Sequence, residues 1–404
     1  MRIQSTSEIP YEVYVNPAIY DREMQELFQG PVWHFLGFES ALTQEHNYFT
    51  TEIAGLPIVV VQDHGTIRAF VNRCIHRGSL LCIAQTGRIS EFSCVYHGWT
   101  YDLTGQLTGV AFERGIQGQG GMPEDFNKSE QHLRSLTVEN YHGVIFASFD
   151  AQIPDFETYV GPDIAAGIRR VLPRRPVLLG RTSQLIHSNW KIYVENNRDS
   201  YHASILHSFF TTFKLNRLTQ SGGIVINAAG GSHISFSKRK QEVDDATYDA
   251  EQLRANKDDF GLKDPRALRF IDEFGDQISL QILTLFPLTV FHQINNSLCV
   301  RQVIPRGVDQ VEVVWWYYGF EDDSAELQEA RLMQINLVGP AGYISMEDGA
   351  VGGFVQRNSS YAEGAVGLLK MGGYDHLSSP SRVTEAAIRG FWKQYCDHLG
   401  ETIV

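Results

Sequence analysis

The sequence predicts an α+β protein, and three observations carry that reading. Short β-rich runs crowd the chain up to about Asp150; beyond it, strand-like runs and helices interleave without a βαβ rhythm; and the composition is that of a globular chain. The 404 residues are 43% hydrophobic and 20% charged, which excludes fibrous and disordered classes and leaves room for roughly two or three domains. With 34 Lys+Arg against 47 Asp+Glu the formal net charge is −13. That excess excludes a sequence-independent nucleic-acid surface or an anionic-membrane surface, so an anionic small ligand needs a local positive site. The opening MRIQSTSEIPYEVYV lacks a signal-peptide core, and no window reaches the ~18 apolar residues of a membrane span. The expectation is a soluble cytoplasmic protein. Five scattered cysteines, Cys74, Cys82, Cys94, Cys299 and Cys396, argue against a disulfide framework and leave metal binding as the cysteine chemistry to look for.

The elements follow in order. Ala18 to Gln29 carries Ile19, Met24, Leu27 and Phe28 at helical spacing and stops at Gly30-Pro31, a short amphipathic helix. PIVVVQD, TIRAFVNR, SEFSCVYHGWTYD and GVIFASFD then succeed one another between Gly, Asp and Asn signals, the texture of a compact all-β module. Inside it GIQGQGGMPEDF is too Gly-rich for regular structure and reads as a surface loop. After the Pro-containing link AQIPDFETYVGPD, the stretch HSNWKIYVENNRDSYHASILHSFF reads as helical in its second half. The polar segment KRKQEVDDATYDAEQLRANKDDFGLKDPRAL reads as helical or mobile. LQILTLFPLTVFHQ, LCVRQVIP and QVEVVWWYYGF alternate like antiparallel strands, and SAELQEARLMQINLV and TEAAIRGFWKQYCDHLG close the chain as two helices. No internal repeat or low-complexity tract is present.

The strongest motif is Cys74-Ile75-His76 followed by Cys94-Val95-Tyr96-His97, with 94 − 76 − 1 = 17 residues between the pairs. Two short Cys/His pairs near hairpin tips supply four convergent donors suited to zinc or to an iron–sulfur cluster. The spacing, with the flanks His76-Arg77-Gly78 and His97-Gly98-Trp99, resembles the Rieske centre, in which two Cys hold one iron of a 2Fe-2S cluster and two His hold the other. A structural zinc site is the alternative. Glycine permits a tight backbone approach there, and Trp99 reads as packing. Cys82, Cys299 and Cys396 read as small buried apolar side chains.

A second constellation lies in Glu195-Asn196-Asn197-Arg198-Asp199-Ser200-Tyr201-His202-Ala203-Ser204-Ile205-Leu206-His207. His202 and His207 are five apart, about 140° on an ideal helix, so one metal between them requires a break or a π-like bulge. Asp199, three residues before His202, shares its face and can hydrogen-bond a ligand imidazole. The run is similar to the iron motif of the Rieske non-haem iron ring-hydroxylating oxygenases, large subunit, and the resemblance covers nearly the whole chain. It implies a third, acidic ligand downstream. The family's Gly-rich turn into an acidic pair matches Gly339-Pro340-Ala341-Gly342-Tyr343-Ile344-Ser345-Met346-Glu347-Asp348, and its second member, Asp348, is the implied ligand, with Glu347 the alternative.

The resemblance further implies an N-terminal helical part of the catalytic domain over 1–37, a Rieske 2Fe-2S domain over 38–155 and a catalytic domain with mononuclear non-haem Fe(II) over 156–404. It implies a head-to-tail homotrimer in which Asp199 bridges His202 to the partner subunit's His97. Asn196 would line the approach to the metal, with Val338 and Ile344 as apolar wall or plain packing. Electrons would come from a separate NAD(P)H-dependent reductase, since no flavin or nicotinamide Gly-rich fingerprint follows a strand here, and a small beta subunit would complete an α3β3 assembly. The implied reaction is cis-dihydroxylation of an aromatic ring with O2. GVAFERGIQGQGGMPEDF, SYHASILHSFFTTFKLNRLTQSGG and GPAGYISMEDGAVGGFVQR look most like the branch acting on aromatic carboxylates, terephthalate foremost, with salicylate and anthranilate beside it. In that branch the substrate carboxylates would be held by Arg301 and Arg382. A planar guanidinium suits a carboxylate through two parallel N–H donors; an internal salt bridge for Arg301 and a solvated surface position for Arg382 are the alternatives. An electron-transfer protein with a vestigial second domain and a zinc-stabilised binding protein are the readings from other classes.

Overall fold

The computed structural model describes residue 3 and residues 5–239, 245–253 and 261–400. The chain forms two compact units, Phe28–Ile153 and Met1–Leu27 with Pro154–Val404. The sequence places the first boundary at 37/38, ten residues later than the fold does. The reason is strand β1 (His34–Phe38), which pairs with a strand deep inside the β unit.

The β unit contains β1, β2 (Asn47–Ile53), β3 (Leu56–Asp63), β4 (Thr66–Val71), β5 (Thr86–Arg88), β6 (Phe92–Ser93), β7 (Thr100–Tyr101), β8 (Leu107–Gly109), β9 (Ser135–Tyr141) and β10 (Val144–Ser148). Seven of them form one antiparallel sheet in the order β1-β10-β9-β4-β3-β2-β5, and β6-β7-β8 form a second. The unbroken apolar run of β3 has a cause in the packing. Val59 and Val61 enter one buried cluster together with Cys74, Cys94 and Trp99, while Ile58 and Val60 enter another with Leu36 and Ile145. A strand buried on both faces cannot alternate apolar with polar. The Gly-rich segment around Gly118 has no helix or regular strand, as expected.

The larger unit is built on a second seven-stranded antiparallel sheet, from β11 (Val177–Ile186), β12 (Gly222–Ile226), β13 (His233–Lys238), β14 (Ile278–Leu285), β15 (Thr289–Ile294), β16 (Ser297–Gly307) and β17 (Gln310–Gly319), in the order β11-β17-β16-β15-β14-β13-β12. The helices that matter for the site are α1 (Trp190–Arg198), α2 (Ala203–Leu206), α3 (Ser208–Thr212), α4 (Ala325–Val338), α5 (Tyr343–Ser359) and α6 (Ala386–Leu399). Three expectations are corrected. The first half of HSNWKIYVENNRDSYHASILHSFF, not the second, holds the longer helix, nucleated by Asn189, whose side chain accepts from the Lys191 backbone N–H. The Gly-rich turn is present at 339–342, but the acidic pair after it lies on a 17-residue helix, α5, that was not foreseen. β11 to β13 were not foreseen. Of the polar segment from Lys238 to Leu268, residues 240–244 and 254–260 lie outside the described residues; Asp245–Ala250 is helical.

The N-terminal helical segment joins this unit through a buried charge. Glu23 and Lys191, both fully buried, meet at 2.6 Å, and Trp190 Nε1 and Tyr395 Oη also donate to the Glu23 carboxylate, at 2.8 and 2.5 Å. A buried ion pair survives only when its remaining valences are filled this way. Nearby, Glu195 accepts from Tyr14 Oη at 2.6 Å and Trp392 Nε1 at 2.7 Å. Together these contacts tie α1, α6 and the N-terminal segment into one core. Among the described residues no helix is long and apolar enough to cross a membrane.

Candidate metal centres and substrate cavity

In the β unit, the two Cys/His motifs form loops of the same build. The Cys74 N–H donates to Ser79 O and the Gly78 N–H returns to Cys74 O; the Cys94 N–H donates to Trp99 O and the Gly98 N–H returns to Cys94 O. Gly78 and Gly98 both have left-handed backbone, φ 77° and 63°, which is why glycine stands at the same place in each. The loops leave both cysteines buried and carry His76 exposed and His97 half-buried. The imidazole rings lie 4.6 Å apart, and Trp99 does more than fill space, for its ring stacks on His76 at 4.6 Å, within 3° of parallel.

Tyr101 Oη accepts the Ile75 N–H at 3.2 Å, which turns its own proton toward Cys74 Sγ, also at 3.2 Å. Burial acts to raise the Cys94 thiol, but the backbone N–H groups of Tyr96 and His97 outweigh it and bring the pKa below the ordinary value. The Tyr101 hydrogen bond likewise lowers Cys74, but there burial prevails and holds the thiol above its ordinary value. His97 Nδ1 is buried with no hydrogen-bond partner, an atom whose desolvation is uncompensated unless something binds it. Among the described residues, the groups of three donors lying within 4.8 Å of one another do not include these loops; their donors stand as a thiol pair and an imidazole pair, the arrangement of a two-iron cluster and not of one ion.

In the larger unit the helical stretch bearing the two histidines is broken twice. Asp199 ends α1, His202 precedes α2, and His207, with extended backbone at ψ 94°, separates α2 from α3. Breaks, and not a π-bulge, bring the imidazoles together. His202 Nε2 and His207 Nε2 lie 3.4 and 3.3 Å from Asp348 Oδ1, the separation of adjacent donors on one ion with bonds of about 2.1 Å. These three residues are one of the compact donor groups among the described residues. Burial lowers the histidine pKa values, but Asp199 and Asp348 raise His202 to about 10, and Asp348 with Glu347 raises His207. Burial works against ionising Asp348, and the facing imidazoles of His207 and His202 outweigh it, holding the carboxyl well below its usual range. The same negative charge is what a cation would meet.

The remaining ring nitrogens each face a carboxylate, though the approach at His202 Nδ1 falls short of a hydrogen bond. Asp199 Oδ1 accepts the backbone N–H of Tyr201 and His202, and Oδ2 stands 3.3 Å from His202 Nδ1. Glu347 Oε2 accepts from His207 Nδ1 at 2.8 Å. The acidic pair therefore divides its work: Asp348 faces both Nε2 atoms and Glu347 steadies one imidazole from behind, a role the sequence did not reveal. Asn196 Nδ2 donates to Asp348 Oδ1 at 3.1 Å. The donor set fits a mononuclear iron with two His and one carboxylate.

One cavity is lined by His202, His207, Asp348, Arg301 and Arg382. Arg301, on β16, and Arg382, before α6, are 6% and 3% exposed, so the solvated alternative for Arg382 is excluded. Arg301 Nε donates to His292 Nδ1 at 3.1 Å, Nη1 to Asn197 Oδ1 at 2.6 Å, and its guanidinium lies 4.3 Å over the Trp315 ring. Arg382 donates from Nη1 to Asn216 Oδ1 and from Nη2 to the carbonyls of Arg217 and Gln220, and burial lowers its pKa to about 10. Neither has a carboxylate partner among the described residues, so the internal salt bridge is excluded for Arg301. Of the two expected wall residues, Ile344 lines the cavity and Val338 is core.

Comparison with known proteins follows this division. Residues 165–401 match the family described as ring hydroxylating alpha subunit (catalytic domain), and residues 32–118 match the Rieske [2Fe-2S] domain. The chain belongs to the ring-hydroxylating oxygenase alpha subunits. It is 46% identical, over 98% of its length and 96% of the relative's, to the terephthalate 1,2-dioxygenase terminal oxygenase alpha subunit 2 of Comamonas sp. It is 37% identical to the anthranilate 1,2-dioxygenase large subunit of Burkholderia cepacia, covering 98% of this chain and 94% of that one. The naphthalene 1,2-dioxygenase structure from Rhodococcus sp. shares the fold, with a TM-score of 0.78 at 23% identity over 97% of this chain and 94% of that one. As a ring-hydroxylating alpha subunit the protein is an oxidoreductase of the dioxygenase type, the terminal oxygenase that works with a reductase, and its cofactors are a Rieske cluster and a mononuclear non-haem iron. The electron-carrier and zinc-protein readings fall.

Proposed function

We propose that this oxygenase cis-dihydroxylates an aromatic dicarboxylate, terephthalate, with Arg301 and Arg382 holding its two carboxylates. One observation carries the reading: two buried guanidinium groups without carboxylate partners line the same cavity as the His202, His207 and Asp348 triad. Such charges are costly unless an anion arrives to pair with them. The name of the Comamonas relative supports the same substrate.

In this reading Cys74, His76, Cys94 and His97 hold the cluster, and His202, His207 and Asp348 hold the iron. When bound, the two centres supply electrons and oxygen activation. The protein's part is placement. His292, Asn197 and Trp315 fix the plane of Arg301, Asn216 fixes Arg382, and a para-dicarboxylate between them presents its ring edge to the triad. Phe210, Leu280, Ile282 and Ile344 supply the apolar wall that excludes water. Asp199 orients His202 and, in a head-to-tail trimer, reaches the partner subunit's His97, giving electrons and protons one route. The trimer pairs with a small beta subunit and takes electrons from an NAD(P)H-dependent reductase in the cytoplasm.

A second reading, a substituted benzoate such as salicylate or anthranilate, draws on the three protein acceptors, Asn216 Oδ1 and the carbonyls of Arg217 and Gln220, that already engage Arg382. The decisive experiment is product mass spectrometry with labelled O2 and a surrogate reductase on terephthalate, isophthalate, phthalate, salicylate, anthranilate and benzoate. A doubly labelled dihydrodiol from terephthalate is the expected result. Arg382→Ala should lower kcat/KM for terephthalate about 10- to 100-fold more than for benzoate, the worth of one charged hydrogen-bonded contact of about 1.5–3 kcal/mol. Equal losses on both substrates would leave the clamp with one arginine.

A further inference from the structure

The β unit holds a donor group that neither iron centre uses. His46 immediately precedes β2, Asp63 ends β3, and His64 stands in the turn into β4. We propose that His46, Asp63 and His64 bind one divalent transition-metal ion of the zinc or nickel type.

The geometry is that of a chelating pocket. One donor atom from each of the three lies within 4.8 Å of the other two. His64 Nε2 is 3.8 Å from Asp63 Oδ1, and the two imidazole rings meet edge to face, centroids 6.1 Å apart and planes at 84°. Arg68 Nε stands 3.5 Å from the other oxygen, Asp63 Oδ2, which orients the carboxylate with Oδ1 toward the imidazoles. Glu45 stands outside this donor group, but its Oε1 lies 3.7 Å from His46 Nε2 and accepts the backbone N–H of His64, bracing the two loops against each other.

The backbone is set before any ion arrives. The His46 N–H donates to Gln62 O and the Ile89 N–H to His46 O, both at 3.0 Å, so the loop before β2 is already locked beside the end of β3. His46 and His64 sit at φ 67° and 48°, which directs both rings out of the strands. Two imidazoles with one carboxylate form a borderline donor set that favours zinc, nickel or copper over calcium or magnesium. His64 is 87% exposed, so water would complete the coordination and the ion would exchange with solvent, in contrast to one held in a buried site. Bound there, the ion would clip the loop before β2 to the β3–β4 turn.

The test uses the iron-loaded protein with its cluster intact. It is dialysed to equilibrium against a small excess of Zn2+, and zinc and iron are assayed inside and outside the membrane, so that an exchanging ion is still counted. The wild type should retain one zinc per chain with its iron content unchanged, and His64→Gln should retain none; this exposed side chain can be changed without touching the core. Asp63→Asn, which keeps the shape and removes the charge, should retain zinc at least tenfold more weakly. The proposal is overturned if the wild type retains no more zinc than His64→Gln, or gains zinc only as it loses iron.

Discussion

The two donor sets of this protein are assembled by opposite means. The cluster donors Cys74 to His97 fall within 24 residues (97 − 74 + 1) on two loops closed by their own backbone hydrogen bonds. His202 and Asp348 are 146 residues apart (348 − 202), on a broken helix and on a long helix that meet only by packing. Their electrostatics differ as well. Around the thiols the work is done by backbone N–H groups and the Tyr101 hydroxyl, whereas around the imidazoles it is done by the charges of Asp199, Glu347 and Asp348. A locally closed loop can carry a metal motif as a cassette, while a packed site needs surrounding carboxylates to hold its ligands still.

The sharpest way to break this comparison is to remove one donor from each side. Cys94→Ala should abolish the visible absorption and reduced-state EPR signal of the cluster while the catalytic unit keeps its iron, and Asp348→Ala should do the reverse. Product formation should fall to background in both. Loss of the cluster signal in Asp348→Ala would show that the sites are not separately built.

Next in size is a pH effect confined to the larger unit. Burial raises Glu195 from 4.5 to about 7, against the opposing hydrogen bonds from Tyr14 and Trp392. Because the folded chain holds this proton where the unfolded chain has released it, stability falls as pH rises from about 4.5, and the full penalty is present above about 7. A shift of that size corresponds to about 3 kcal/mol. Glu195→Gln keeps an acceptor oxygen for both donors and removes the ionisation, so its Tm should exceed that of the wild type at pH 8 and converge with it near pH 5. A constant Tm difference across that range would refute the assignment to Glu195.

The smallest effect separates the two members of the acidic pair. Glu347→Ala should weaken iron binding about 10- to 100-fold in chelator competition, as expected for loss of a carboxylate behind a ligand histidine, with Glu347→Gln recovering part of it through its amide oxygen. The cluster spectrum should not change. Unaltered iron affinity would make Glu347 a bystander and leave His207 positioned by its backbone alone.

Much of this was legible in the residues because the relevant contacts are short in sequence. The Cys-x-His and Cys-x-x-His loops, the all-β texture, the helix ending near Leu27 and the need for a break between His202 and His207 all depend on neighbours within a few positions. Helix α5 was hidden by its glycines, which serve packing and not turns. A Cβ at Gly349 would meet Gln184 Nε2 at 3.0 Å, and one at Gly352 would meet Ser188 Oγ at 3.3 Å, so glycine lets the helix lie close against β11 and the turn after it. β11 itself was hidden because most of its residues are exposed or half-exposed, with no apolar alternation to read.

The sequence by itself determined the class, the family and the donor types, since residue identity and local spacing decide which metals and loops are possible. Only the tertiary structure decided that Asp348 faces both imidazoles, that Glu347 stands behind His207, and that Arg301 and Arg382 are buried without a carboxylate yet open to one cavity. Those facts depend on which faces of distant helices and strands meet. No local propensity encodes that choice, because the free energy selecting it comes from burying the core as a whole.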